Sequence, residues 1–300
     1  MFDGIRFELP HQDWEFWLNH ETLDFHGAYS LNTGAVKGGS CAVTYQGLRF
    51  ELKETNDKGL LLKVRGSLPK FYNKGAVGYD DLNYHEMREV LLQLEALGIP
   101  INRSRITNIE LGFNVYLDYT TARVLKSFKY TEEAEFSFEK NDNFQGTICK
   151  RNDYELKVYD KAKVFQIKDL EVIRLEIKAR KMRFFKEAEI VFLSDLLDPV
   201  KSQIAFSKWL DIFKKITFSY YSFEQIEMLN EQDQLHLYRW ESPEHWERLR
   251  HKPSALKTLK EERRRFRIFI QRTGGDSKFD SILSEVCEMY ERNWVAKLGT

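Results

Sequence analysis

YELKVYDKAKVFQIKDLEVIRLEIKARK, Tyr154 to Lys181, is the stretch whose reading decides the fold. Side chains alternate across a strand with period two. Glu155, Lys157 and Tyr159 therefore share one face of a first strand, and Leu156 and Val158 take the other. After a helical turn, Arg174, Glu176, Lys178 and Arg180 share the polar face of a second strand, over Ile173, Leu175, Ile177 and Ala179. The result is a sheet with an apolar underside and a charged upper side that carries a tyrosine.

The same alternation recurs upstream in Ile5–Leu9, Leu48–Lys53 and Leu60–Leu68, where Arg6, Glu8, Arg49, Glu51, Lys53, Lys63 and Arg65 lie opposite apolar residues. Half-buried antiparallel strands read this way. Asn56, Asp57 and Gly59 supply the turn of a hairpin between the last two. From Asp80 the spacing of Leu82, Met87, Val90, Leu91, Leu94 and Leu97 predicts a helix, capped by Asp80 or Asp81 and ended by Gly98 and Pro100. RITNIELGFNVYLDY (105–119) is a further strand, with Glu110, Asn114 and Tyr116 on its polar side and a short helix from Thr120 after it. The acidic run YTEEAEFSFEKNDN is expected to be a solvated hairpin or loop. A second hairpin turns at Arg151–Asp153. Past Arg183 the pattern is helical.

These elements predict an α+β fold, an antiparallel sheet with helices on one face followed by a helical C-terminal part, divided as 1–200 and 201–300. At 300 residues, 42% hydrophobic and 31% charged, the chain is an ordinary globular one. No apolar run is long enough to span a bilayer and MFDGIRFELP is not a signal peptide, which predicts a cytoplasmic protein without membrane partners. Three scattered cysteines, Cys41, Cys149 and Cys287, exclude a disulfide framework. Dispersed histidines disfavour a zinc enzyme, and His85 and His236 have no partner spacing. KGGS (37–40) reads as a turn before a strand and lacks the phosphate-loop pattern.

A net charge of zero hides local asymmetry. Between Arg248 and Arg272 ten cations face two carboxylates, a local excess of eight. Two short helices joined around Lys252-Pro253 would present Arg263, Arg264, Arg265 and Arg267 to a phosphate backbone. A solvated helix face is the plainer reading of the same charges.

If the strands bearing Glu110, Tyr159 and Glu176 are neighbours, two carboxylates, a tyrosine and several cations converge. Such hard oxygen donors suit Mg²⁺ or Mn²⁺. A tyrosine oxygen is a capable nucleophile at phosphorus, and Lys163, four residues on, would lie beside its ring. Ester exchange through tyrosine is reversible, which suits nicking and rejoining of DNA. Alternating charge is also how a merely wet sheet face reads.

At these residues the chain resembles the replication initiators of filamentous phages, the gene II protein family, and more distantly those of rolling-circle plasmids. The resemblance covers about residues 1 to 200. It rests on KVRGSLPKFYNKGAVGYDDLNYHEM, RITNIELGFNV, KVYDKAK and VIRLEIKAR in shared order. It implies a site-specific single-strand endonuclease and strand transferase, with Tyr159 as nucleophile, Lys163 as its electrostatic partner, and Glu110 and Glu176 on a metal. Arg174 and Lys178 would contact DNA. Origin DNA, double- and single-stranded, is the implied partner, with host helicase and polymerase beside it. The implied fold is that of nicking endonucleases that use a His-hydrophobic-His motif, which is absent here. Glu110 stands where Asp is usual, and Asn108 where Arg is common. Two other readings remain, a mobilisation relaxase with the same chemistry and a non-catalytic DNA-binding protein.

Overall fold

The computed structural model describes residues 1–27, 40–55, 59–76, 80–131, 134–167, 169–251 and 254–296. The turn expected at Asn56-Asp57, most of KGGS and the Lys252-Pro253 junction lie outside them. Among the described residues nine strands form one antiparallel sheet in the order β2-β3-β4-β1-β5-β10-β9-β8-β7. They are β1 (Phe2–Leu9), β2 (Ser40–Tyr45), β3 (Leu48–Glu54), β4 (Leu60–Ser67), β5 (Arg105–Tyr116), β7 (Ser137–Asn141), β8 (Phe144–Lys150), β9 (Tyr154–Asp160) and β10 (Val172–Ala179). Two short strands, β6 (Phe128–Tyr130) and β11 (Thr217–Phe218), pair separately. The expected α+β class is what the chain adopts.

Alternation explains the sheet. Ile109, Leu111, Phe113 and Val115 of β5, and Ile173, Leu175 and Ile177 of β10, are buried among helices. In chain order these are α1 (Trp14–Leu18), α2 (Leu68–Tyr72), α3 (Tyr84–Ala96), α4 (Thr121–Ser127), α5 (Lys161–Val164), α6 (Pro199–Phe213), α7 (Phe223–Glu227), α8 (Glu231–Glu241), α9 (Pro243–Arg250), α10 (Ala255–Thr273) and α11 (Ser277–Tyr290). Phe113 meets Trp209 of α6 edge-on at 5.0 Å, and Phe206 stacks on Tyr290 of α11. The main core thus takes in elements from both ends of the chain. A second cluster, Trp240, Trp246, Phe266, Phe269 and Ile270, holds α8, α9 and α10 together. No helix among the described residues is long and apolar enough to cross a membrane.

The helix expected from Asp80 starts later. Asn83 caps α3 through a reciprocal bond with Glu86. This frees Asp81 for another task. The acidic run after Tyr130 forms the expected hairpin, with β7 exposed throughout and paired to β8, but Glu135 is half-buried and accepts from Arg250 (2.5 Å) and Arg263 (2.7 Å).

Candidate active site

The polar face of the sheet is ordered by register. Across β5, β10, β9 and β8, one row reads Asn114, Arg174, Tyr159, Gly146. The next reads Gly112, Glu176, Lys157, Ile148, and the one after it Glu110, Lys178, Glu155, Lys150. Neighbouring strands are about 4.8 Å apart, so these side chains are in mutual reach.

Arg174 is the centre. It is 1% exposed, against the expectation that it contacts DNA. Its guanidinium donates to Asp81 (2.6 Å), Asn114 (2.8 Å) and Glu176 (3.3 Å), and its other nitrogen lies 3.0 Å from Asp3. A buried cation persists only with such partners. Asp81 also accepts from the Asn114 backbone, and Asp3 accepts from Ser67. Burial would raise the Asp81 carboxyl, but Arg174 together with the N-terminal amine and Lys161 outweighs it and holds the group below the usual carboxylate range. Gly112 makes the room: a β-carbon there would lie 2.9 Å from the Arg174 guanidinium.

Tyr159 is the penultimate residue of β9, half-buried, directly between Arg174 and Gly146. A β-carbon at Gly146 would sit 2.6 Å from that of Tyr159, so only glycine lets the tyrosine stand there, beside the Phe144 ring at 5.8 Å. Asp160 caps α5 and accepts from Thr121, fixing the chain just past the tyrosine. Burial, then the Glu176 charge, pushes the phenol well above its ordinary range, while Arg174 opposes the rise. Tyr154 turns the other way and packs on Phe184.

Glu176 is buried, and burial followed by the Glu110 charge raises its carboxyl. Lys157 donates to it at 3.3 Å and lies 3.6 Å from Glu155, which Arg180 also contacts at 2.5 Å. Lys178 pairs with Glu110. Glu110 and Glu176 are diagonal neighbours on facing strands, close enough to share an ion if Lys178 and Lys157 turn aside. Their hard oxygens suit Mg²⁺, which takes one or two carboxylates and completes its shell with water and phosphate. No group of three or more His, Cys, Asp or Glu side chains able to hold an ion occurs among the described residues.

Lys163 makes no ion pair or side-chain hydrogen bond among the described residues; its backbone N–H serves the Asp160 cap. The lysine carried inward is Lys161, 6% exposed, whose amine burial and then Arg174 push down to about 8. Asp3, Asp81, Lys161 and the two glycines were missed by sequence reasoning. Nothing in local pattern marks them, since each is defined by a distant strand.

The basic helix is partly self-neutralised. Arg264 and Arg265 pair with Glu261 on α10 itself, and Arg263 with Glu135. Arg263, Arg264 and Arg265, with Lys257, Lys260 and Arg267, line a cavity of about 610 Å³ that shares no lining residue with the sheet cluster.

No family model matches the sequence. No curated protein matches it either. Among solved structures the chain is similar to a rolling circle replication initiator protein from Geobacillus stearothermophilus, at 13% identity and a TM-score of 0.43. The match covers 74% of this chain and 87% of that one. At that level of likeness neither a family nor an activity follows.

Proposed function

We propose that the chain is a single-strand DNA endonuclease and strand transferase that starts rolling-circle replication through a 5′-phosphotyrosine link at Tyr159. The observation that carries this reading is the register that sets one tyrosine beside a buried arginine and the diagonal pair Glu110 and Glu176. The order of the sequence motifs supports it.

In the step itself, the Tyr159 oxygen bonds to phosphorus and the bond from phosphorus to the 3′ oxygen breaks. The phenol proton passes to solvent, and the leaving oxygen takes one up to become the 3′-hydroxyl that primes synthesis. One ester replaces another, so the reverse attack rejoins the strand. Arg174, across the register, favours the phenolate, the task the sequence reading gave to Lys163. Glycine at 146 leaves the ring free to face the DNA. Held by Glu110 and Glu176, Mg²⁺ or Mn²⁺ would supply the Lewis acid that polarises the phosphoryl oxygens.

The test is nicking of supercoiled DNA carrying the cognate origin, with Mg²⁺ and with chelator. Cleavage should require the ion, and Glu176→Gln should lower it by at least tenfold, about 1.4 kcal/mol, while DNA affinity stays near wild type. A second reading, non-catalytic DNA binding, is favoured by the cation-lined cavity on α10. A salt-sensitive gel shift without any ion-dependent nick would decide for it.

A further inference from the structure

The polar face continues past the tyrosine cluster onto β1, β4 and β3, where its charge pattern changes. Arg49 of β3 lies opposite Arg65 of β4, and Arg65 lies opposite Arg6 of β1. Three arginines thus stand side by side on three adjacent strands. Thr44 extends the row on one side and Asn108 on the other, so it contains no acid. All three arginines are exposed and make no ion pair among the described residues.

The adjacent row is an internal control. It reads Glu51, Lys63, Glu8, Arg105 across the same strands and β5, alternating in sign, with Lys63 3.1 Å from Glu8. That is how a merely solvated sheet face satisfies its charges. Like charges directly opposite one another destabilise a sheet, and the arginine row carries two such contacts. A polyanion laid across it would remove the repulsion, since arginine forks match phosphate oxygens.

Placement names the occupant. A groove of about 400 Å³ is lined by Arg6, Arg49 and Arg65 and, at its other end, by Glu110 and Lys178 of the tyrosine cluster. We infer that Arg6, Arg65 and Arg49 form a phosphate track that holds one strand of DNA leading to Tyr159. This rests on the nicking reading for its end point, although the track itself is a binding site.

Fluorescence anisotropy of the full chain with a labelled oligothymidylate, measured over a salt series, tests it. Each phosphate neutralised on a single strand contributes about 0.7 to the log–log salt slope. The triple variant Arg6→Gln/Arg49→Gln/Arg65→Gln should therefore lose about 2 from that slope, and Lys63→Gln in the control row should lose none. Arg65→Gln alone should lose about 0.7 and melt at a higher temperature than wild type, because the central repulsion is gone. An unchanged slope in the triple variant overturns the track. So does a loss seen only with duplex of the same length. Adduct formation by wild-type protein reads the nicking proposal separately: a normal adduct with an unchanged slope leaves that reading standing, and the arginine-dependent slope without any adduct leaves the track standing.

Discussion

Replacing Arg174 with methionine should unfold the site before it touches the chemistry. The guanidinium is held by Asp81, Asn114, Glu176 and Asp3, and is 1% exposed. Methionine fills most of the space but leaves buried carboxylates without their cation, and breaking a buried pair in this way costs about 3–5 kcal/mol. Total stability is about 5–15 kcal/mol, so roughly a fifth or more is at stake. With a urea m-value of about 3 kcal/mol/M the midpoint should fall by about 1–2 M. The loss should also depend on pH. In wild type, Asp81 is held below its ordinary value, so its contribution is present at neutral pH and fades as pH falls through that lowered value. In the variant the N-terminal amine and Lys161 still lower the carboxyl, but burial, the largest influence, has lost its main opponent: the folded value rises, and the buried carboxylate destabilises at neutral pH and recovers on protonation. The gap between the two proteins should therefore shrink from pH 7 towards pH 4. Urea midpoints at several pH values measure it. Equal midpoints at neutral pH, or a gap constant with pH, would refute the argument.

Gly146→Ala should cost about 1–3 kcal/mol by overpacking, because its β-carbon would meet Tyr159, Phe144 and the Val158 carbonyl at 2.6–2.8 Å. Adduct formation should slow with oligonucleotide affinity unchanged. Lys161, with its amine lowered to about 8, is neutral in the folded chain above that pH while the unfolded lysine stays protonated to about 10.4. The unfolded state then binds more protons, so wild-type stability should rise between about pH 8 and 10; Lys161→Met should flatten that rise in thermal melts followed across the same range.

Strands were legible because period-two alternation is a local signal, and it set Tyr159, Arg174, Glu176 and Lys178 on one face correctly. It could not say which of them the rest of the chain covers. Arg174 looks exposed in VIRLEIK, and becomes buried because Asp3 and Asp81 arrive from β1 and the segment before α3. Asp81 was read as a helix cap because two aspartates precede the apolar spacing; Asn83, with Glu86 three residues on, was the better capping box. Lys163 was placed beside the ring on the premise of a helical turn starting at Tyr159, whereas α5 is four residues long and begins after the tyrosine. The charge excess of the C-terminal helices was real in composition, but Glu135, 128 residues from Arg263 in the chain, answers part of it. Gly146 and Gly112 carry no sequence mark of their role, since their purpose is the space opposite another strand's side chain.

The most direct measurement is the covalent link itself. Wild-type protein incubated with Mg²⁺ and origin single strand labelled on the 3′ side of the nick, then denatured and digested, should yield one peptide mass-shifted by nucleotide at Tyr159. Tyr159→Phe should yield none. An adduct formed equally well by Tyr159→Phe, or mapped to another residue, would contradict the assignment on which the account rests.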